Sequence, residues 1–352
     1  MTTAKKNLFA ALALVLGAAV TGCAADAPAD PNDPNDPSDV DPNAPPPDAT
    51  GKYAMRSTFD LASNAPGAAG AVVNAIIAAT DEGDDPAKWI LEQAINAMPS
   101  GTFKNVVNGA KPFIAGIIND RILSIAPDFV TTMVQVGNDV GQVARGFGLN
   151  ETLDVSKAGD AYAATKTVKG VHFKIDGLES DHAFSDFGVS ETVVSQIGVT
   201  VSKTGQLAIA DHKVGLSYGK VIRIGLDAAI IPSLDPSAQN LGQLLQHLVN
   251  CNAVGTAIND AVISTIGFGP GAGTFTSACN AGLVAGANFI YSKVDAIDGQ
   301  AMELGLAGTA KALDKNNDKK LDTIQTGTWT GTATYAGTPA PLATATFYGE
   351  RM

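Results

Sequence analysis

The chain has 352 residues, 45% hydrophobic but only 6% aromatic, with 37 glycines and a formal net charge of −12. An acidic chain without a basic cluster is a poor partner for nucleic acid or anionic head groups, so the charge argues against both. A core must be built largely from Ala, Val, Ile and Leu, and no internal repeat on the scale of roughly 20–50 residues is visible.

Lys5 and Lys6 precede an apolar run from Leu8 to Val20, which ends in Val20-Thr21-Gly22-Cys23. A charged start, a short apolar core and a small-residue cleavage site define a secretory signal. The run is shorter than the ~20 residues of a transmembrane helix. Val-Thr-Gly-Cys resembles the lipobox of bacterial lipoproteins, over the first 23 residues only. The resemblance implies a signal peptide over 1–22, a diacylated Cys23 sulfur and an acylated new amino terminus. With Ala24 rather than Asp next, it also implies outer-membrane sorting in a Gram-negative host. The expected location is therefore the cell envelope, with the membrane as first partner. Two or three acyl chains, at ~0.8 kcal/mol per buried CH2, anchor far more firmly than one.

Residues 23–50 form the next segment. Asp26, Asp30, Asp33, Asp36, Asp39, Asp41 and Asp48 alternate there with prolines, and no basic residue interrupts them. With almost nothing apolar to bury, this segment is expected to be an extended, disordered tether. At ~3.1 Å per residue it reaches roughly 80 Å. Without residues 1–22 the side chains sum to about −14, and the seven tether aspartates leave about −7 on residues 51–352.

Residues 52–61 alternate, with Tyr53, Met55, Phe59 and Leu61 on one face of a half-buried strand. From Gly67 to about Gly148 the period becomes helical. Leu91, Ile95 and Met98 make one stripe and Ile114, Ile117, Ile118, Ile122 and Ile125 a second. Phe129, Met133, Val136, Val140 and Val143 make a third after Pro127-Asp128. Residues 166–226 return to period two through Val171, Phe173 and Ile175, then Ile197, Val199 and Val201, then Leu207 and Ile209. Val214, Leu216 and Tyr218 continue it, and Ile222, Ile224 and Leu226 close what reads as an antiparallel meander with one wet face. Residues 235–297 are helical again, split by the glycine-rich loop Gly267–Gly273. Met302, Leu304 and Leu306 start the last strands, and Thr328–Tyr335 with Leu342–Tyr348 read as a closing hairpin. Helices grouped in blocks around antiparallel strands predict an α+β fold. The expectation is a single domain over 51–352, an antiparallel sheet packed with two blocks of helices, its first and last strands paired.

Two cysteines remain beside Cys23. An even pair in an oxidising compartment points to a Cys251–Cys279 disulfide, worth roughly 3.5 kcal/mol on the chain-entropy model. The alternative is two buried thiols. The strongest chemical pattern is Asp314-Lys-Asn316-Asn-Asp318-Lys-Lys320-Leu-Asp322. Oxygen side chains at positions 1, 3, 5 and 9 and a backbone carbonyl from Lys320 at 7 resemble an EF-hand-type Ca2+ loop. Lys319 stands where that loop carries Gly, and Gln325 where it carries a bidentate Glu. The flanks read as strands, so the resemblance implies a structural calcium-stapled turn, with a plain polar turn as the alternative.

Gly267–Gly273 lacks the Lys and Ser/Thr of a phosphate loop. Asp181-His182 and Asp211-His212 suggest a relay to a serine, yet neighbours on a strand point to opposite faces. His172 and His247 complete the histidines, and no His or Cys pair has zinc-ligand spacing. Trp89 and Trp329 read as core residues or as the lining of a ligand cavity. No catalytic residue is assigned. Three readings of function follow: a membrane-anchored domain that binds a hydrophobic ligand or lipid; a structural, calcium- and disulfide-stapled envelope protein that contacts a partner; and a hydrolase without a recognised motif.

Overall fold

The computed structural model describes residues 45–61, 63–64, 100, 104–105, 108, 126, 128–300 and 302–352. The signal peptide, Cys23, most of the tether and the helical stripes expected from Leu91 to Ile125 lie outside the described residues.

Ten strands form one antiparallel sheet. They are β1 (Gly51–Phe59), β2 (Phe147–Ala158), β3 (Ala161–Ile175), β4 (Leu178–Ala183), β5 (Thr192–Val201), β6 (Gln206–Leu216), β7 (Met302–Leu313), β8 (Thr323–Tyr335), β9 (Thr338–Pro341) and β10 (Ala345–Arg351). Each pairs with its neighbour in order, apart from β4, which hangs on β3, and β9, which hangs on β8. β10 pairs with both β8 and β1, with Thr346 opposite Thr328 and Phe347 opposite Ser57. The remaining eight strands therefore close into an up-and-down barrel.

This overturns the expected α+β arrangement of an open sheet packed against two helix blocks. The predicted β1–β10 pairing is present, and the added β8–β10 pairing joins the meander to itself. Closure satisfies the edge groups that an open sheet leaves unpaired. Alternation along β1 then sends Tyr53, Met55, Ser57 and Phe59 into the barrel rather than against helices. Register shifts opposite Asn150/Glu151, Ala164/Lys166 and Ile209/His212 are bulges, which tighten the twist needed for closure.

Two insertions carry the described α-helices. α1 (Phe129–Arg145) precedes β2. Between β6 and β7 come α2 (Tyr218–Ile224), a π-helical turn over Gly225–Ile230, α3 (Ile231–Leu234), α4 (Leu241–Leu248), α5 (Cys251–Ile266) and α6 (Ala272–Asp295). The stretch Tyr218–Leu226, read as the end of the meander, is thus helical. Tyr218, Val221, Ile222 and Gly225 also recur at i, i+3, i+4 and i+7, and this period wins because it buries both sides. Tyr218, Val221 and Ile224 pack on the barrel core, Leu226 and Ile230 on the helical one. The helical core includes Val136, Leu244, Leu245, Val254, Ile258 and Leu283, and it meets the barrel core through Val143, Ile222 and Ala229.

Because α1 runs straight into β2 and α2 starts where β6 ends, these helices lie over one end of the barrel. The other end is closed by the chain termini of the fold. Asp48 N–H donates to Lys319 carbonyl at 2.7 Å, and Leu321 N–H donates to Asp48 carbonyl at 3.0 Å. Arg351 donates to the carbonyls of Leu321 and Thr50 at 2.7 and 2.8 Å.

Candidate functional site

The barrel interior is filled by its own side chains, and glycines on three strands make that possible. A Cβ on Gly308 would stand 2.5 Å from Trp329, one on Gly327 2.6 Å from the Phe347 ring, and one on Gly349 2.6 Å from Met55 sulfur. Each missing side chain leaves the space its large neighbour occupies. Trp329 stacks on Phe347 with centroids 4.1 Å apart, and the His212 ring meets the indole edge-on at 5.5 Å.

A polar cluster is embedded among these rings. Lys166 on β3 and Glu151 on β2 approach to 3.0 Å, with side chains 2% and 0% exposed. The Lys166 ammonium lies 4.2 Å from the Trp329 ring centroid. Ser57 hydroxyl donates to the other Glu151 oxygen at 2.7 Å and accepts from Trp329 Nε1 at 3.0 Å. The ion pair lacks the angles of a hydrogen bond, so Lys166 Nζ and Glu151 Oε1 are both left without one. His212 Nδ1 lies 2.9 Å from the Ala210 carbonyl, which assigns the proton to Nδ1. Its buried Nε2 has no partner. Burial, together with the nearby Lys166 charge, depresses the His212 pKa despite the bond to Ala210 and the Asp211 charge. Serine, glutamate, lysine and histidine at inward positions interrupt the apolar alternation, and that interruption is the only signal the sequence carries for this cluster.

The hollows lined by described residues include three beside the barrel. At the helical end, Val140, Val143, Phe147, Tyr218, Val221 and Leu226 line an apolar space of about 20 Å³. On the outer wall, a groove of about 330 Å³ runs past Arg56, Asn150, Lys169 and Asp181. There Arg56 grips both Asp181 oxygens at 3.0 and 3.1 Å, Asn150 donates to Asp181 at 2.7 Å, and His172 Nδ1 sits 3.0 Å away. Partial burial raises the Asp181 pKa, but these hydrogen bonds and the Arg56 charge outweigh it and lower it. A third groove of about 480 Å³ is lined by Phe187, Lys220, Arg223, Asp227, Asp295 and Asp298. Burial raises the Asp227 carboxyl, which accepts from the Tyr291 hydroxyl. Tyr291 in turn accepts from Leu241 N–H at 2.9 Å, Arg223 pairs with Asp295 at 3.2 Å, and Asp298 accepts from the first amides of α2. Arg223, Asp227, Asp295 and Asp298 are thus committed to one another or to the backbone.

The residues singled out by sequence distribute as follows. Cys251 and Cys279 form the disulfide, joining α5 to α6 with Cα atoms 5.6 Å apart. In the expected calcium loop, Asp314 accepts from the amides of Asp318 and Lys319 at 3.2 and 2.7 Å. Asn316 accepts from Asp318 at 3.0 Å, Asp318 from Lys320 at 2.8 Å, and Asp322 from Lys315 at 2.8 Å. Lys319, standing where calcium loops carry Gly, has φ +67°. The chain therefore curls in the left-handed sense of such loops, its side-chain oxygens on its own amides. Among the described residues, no three or more His, Cys, Asp or Glu gather into a metal-binding group.

Gly267 ends α5 with φ +83°, and Gly271 precedes α6 with φ +96°, so the glycine-rich loop turns between two helices. The Asp-His neighbours split as strand geometry requires. Asp181 serves His172, while His182 sits 3.1 Å from Ser180. His247 pairs instead with Asp235 at 2.6 Å, and Ser237 and His247 hold the Asp235 pKa down at about 2. Trp89 lies outside the described residues. No family model matches this chain, and no curated protein or solved structure matches it either.

Proposed function

We infer that this chain is a lipid-anchored envelope protein whose barrel is a rigid contact module, binding a partner rather than transforming a substrate. The filled barrel interior carries the reading. A space of about 20 Å³ at the helical end holds roughly one water, whereas drug-sized ligands take pockets of about 300–1,000 Å³. The larger hollows are open, charged grooves on the outside, which suit contact with another surface. The anchor rests on Val20-Thr21-Gly22-Cys23, and the loop Asp314–Asp322 is proposed to staple the tether-side end of the barrel when it holds calcium.

A second reading, an envelope carrier for a hydrophobic ligand, is favoured by the all-apolar lining of the helical-end space. On that reading α1 and α2 must move apart to admit a chain. Native mass spectrometry of the protein produced without its anchor separates the two. A bare mass agrees with the contact module. Co-purifying, solvent-extractable species on the order of several hundred daltons would overturn it in favour of the carrier. The anchor is tested apart from both: the intact protein should carry the mass of acyl chains on an amino-terminal Cys23, and an unacylated Cys23 would sink the lipid assignment.

A further inference from the structure

Among the described residues, the buried polar atoms left without hydrogen bonds are Glu151 Oε1, Lys166 Nζ, His212 Nε2 and Thr323 Oγ1. Lys166 and His212 both rest against the Trp329 indole, and Glu151 pairs with Lys166 at 3.0 Å. Buried polar groups left unsatisfied are uncommon in native proteins and mark places where the fold holds strain or function. Here the arrangement has a chemical polarity. His212 is the group in this cluster whose ordinary titration range lies near neutrality. Its Nδ1 is already committed to the Ala210 carbonyl, so an added proton must go to Nε2, inside the barrel and near an ammonium.

We propose that the barrel is held shut by an acid-sensitive lock, in which neutral His212 closes the Ser57–Glu151–Lys166–Trp329 cluster and protonated His212 releases it. Among the described residues, the charges that act on the ring are Lys166 from β3, itself paired to Glu151 from β2, and Asp211 beside it on β6. Its other neighbours here, Trp329 from β8 and Leu306 opposite it on β7, are uncharged. Protonation sets a second cation near Lys166, whose partner Glu151 already has one oxygen held by Ser57. The sign follows from the depressed histidine. Its contribution to stability is complete above about pH 6.5, the unfolded value, and is lost as pH falls from there through the lower folded value. The lock goes beyond the contact-module reading and stands or falls independently of it.

Hydrogen exchange of the full-length chain between pH 7.5 and 5, corrected for intrinsic rates, tests it. Protection of the β6–β8 amides should fall with pH by an amount approaching ~10-fold per unit across the window, and His212→Gln should make that fall shallower. Gln keeps an amide donor for the Ala210 carbonyl and cannot titrate, so His172, His182 and His247 remain as the common background. Equal pH dependence in wild type and variant, or a flat wild type, overturns the lock. Should the variant fail to fold, nitrogen-15 titration of the wild-type rings decides. His212 neutral and Nδ1-protonated at pH 6.5 supports the lock, and a half-charged ring at or above pH 6.5 overturns it.

Discussion

Replacing Lys166 with methionine removes one half of the ion pair inside the barrel and leaves Glu151 there without its cation. At 3.0 Å and an effective dielectric of ~20 the pair's Coulomb energy is about 5 kcal/mol. Desolvation of each ion costs several kcal/mol, so the net worth of the intact pair is small. Removing one partner is different, because the remaining charge keeps its desolvation cost and loses its compensation. Lys166→Met should therefore destabilise the protein by about 3–5 kcal/mol. Loss of the contact with the indole adds up to ~2 kcal/mol. Adding Glu151→Leu should recover most of that loss, leaving Ser57 to satisfy only Trp329. Urea unfolding at pH 7.5, followed by tryptophan fluorescence, gives both singles and the double, and the cycle isolates the coupling. The reasoning fails if the double loses the sum of the two singles, since the two charges would then act independently.

The Cys251→Ser, Cys279→Ser double variant should lose roughly 3.5 kcal/mol on the chain-entropy account, measured by urea unfolding against the oxidised wild type. Gly308→Ala puts a methyl 2.5 Å from Trp329 and should cost about 1–3 kcal/mol with a changed Trp329 emission, whereas an unchanged midpoint would mean that the indole is not wedged over β7. Calcium should raise the thermal midpoint of the wild type and not that of Asp314→Asn with Asp318→Asn. Equal midpoints in calcium and chelator would leave the loop a polar turn.

Much of the strand content was legible, because β1, β3, β5, β6 and the start of β7 alternate in the sequence as they do in the structure. β2 was not, since Glu151 sits at the centre of Phe147, Leu149, Leu153 and Val155 and breaks the apolar face. Closure was illegible for a different reason. Whether β8 ends at an edge or meets β10 depends on accumulated twist and bulges, and no local pattern encodes it. The segment Tyr218–Leu226 satisfied two periods at once, and only the presence of a second core above the barrel decides between them. The cluster at Trp329 draws on β1, β2, β3, β6 and β8, so its members share no spacing that a linear reading can detect. The disulfide, by contrast, needed only a count.

The pairing of β1 with β10 also bears on when the fold can form. Tyr53 lies opposite Arg351, and Met352 N–H donates to the Lys52 carbonyl at 2.8 Å, so the first strand of the barrel waits for a partner far along the chain. Contacts this distant in sequence slow folding, because the loop must be closed before they contribute. A ribosome must make β10 before this barrel can shut. Closure of the ring is therefore a late step of folding, set by the length of chain between the two strands that join.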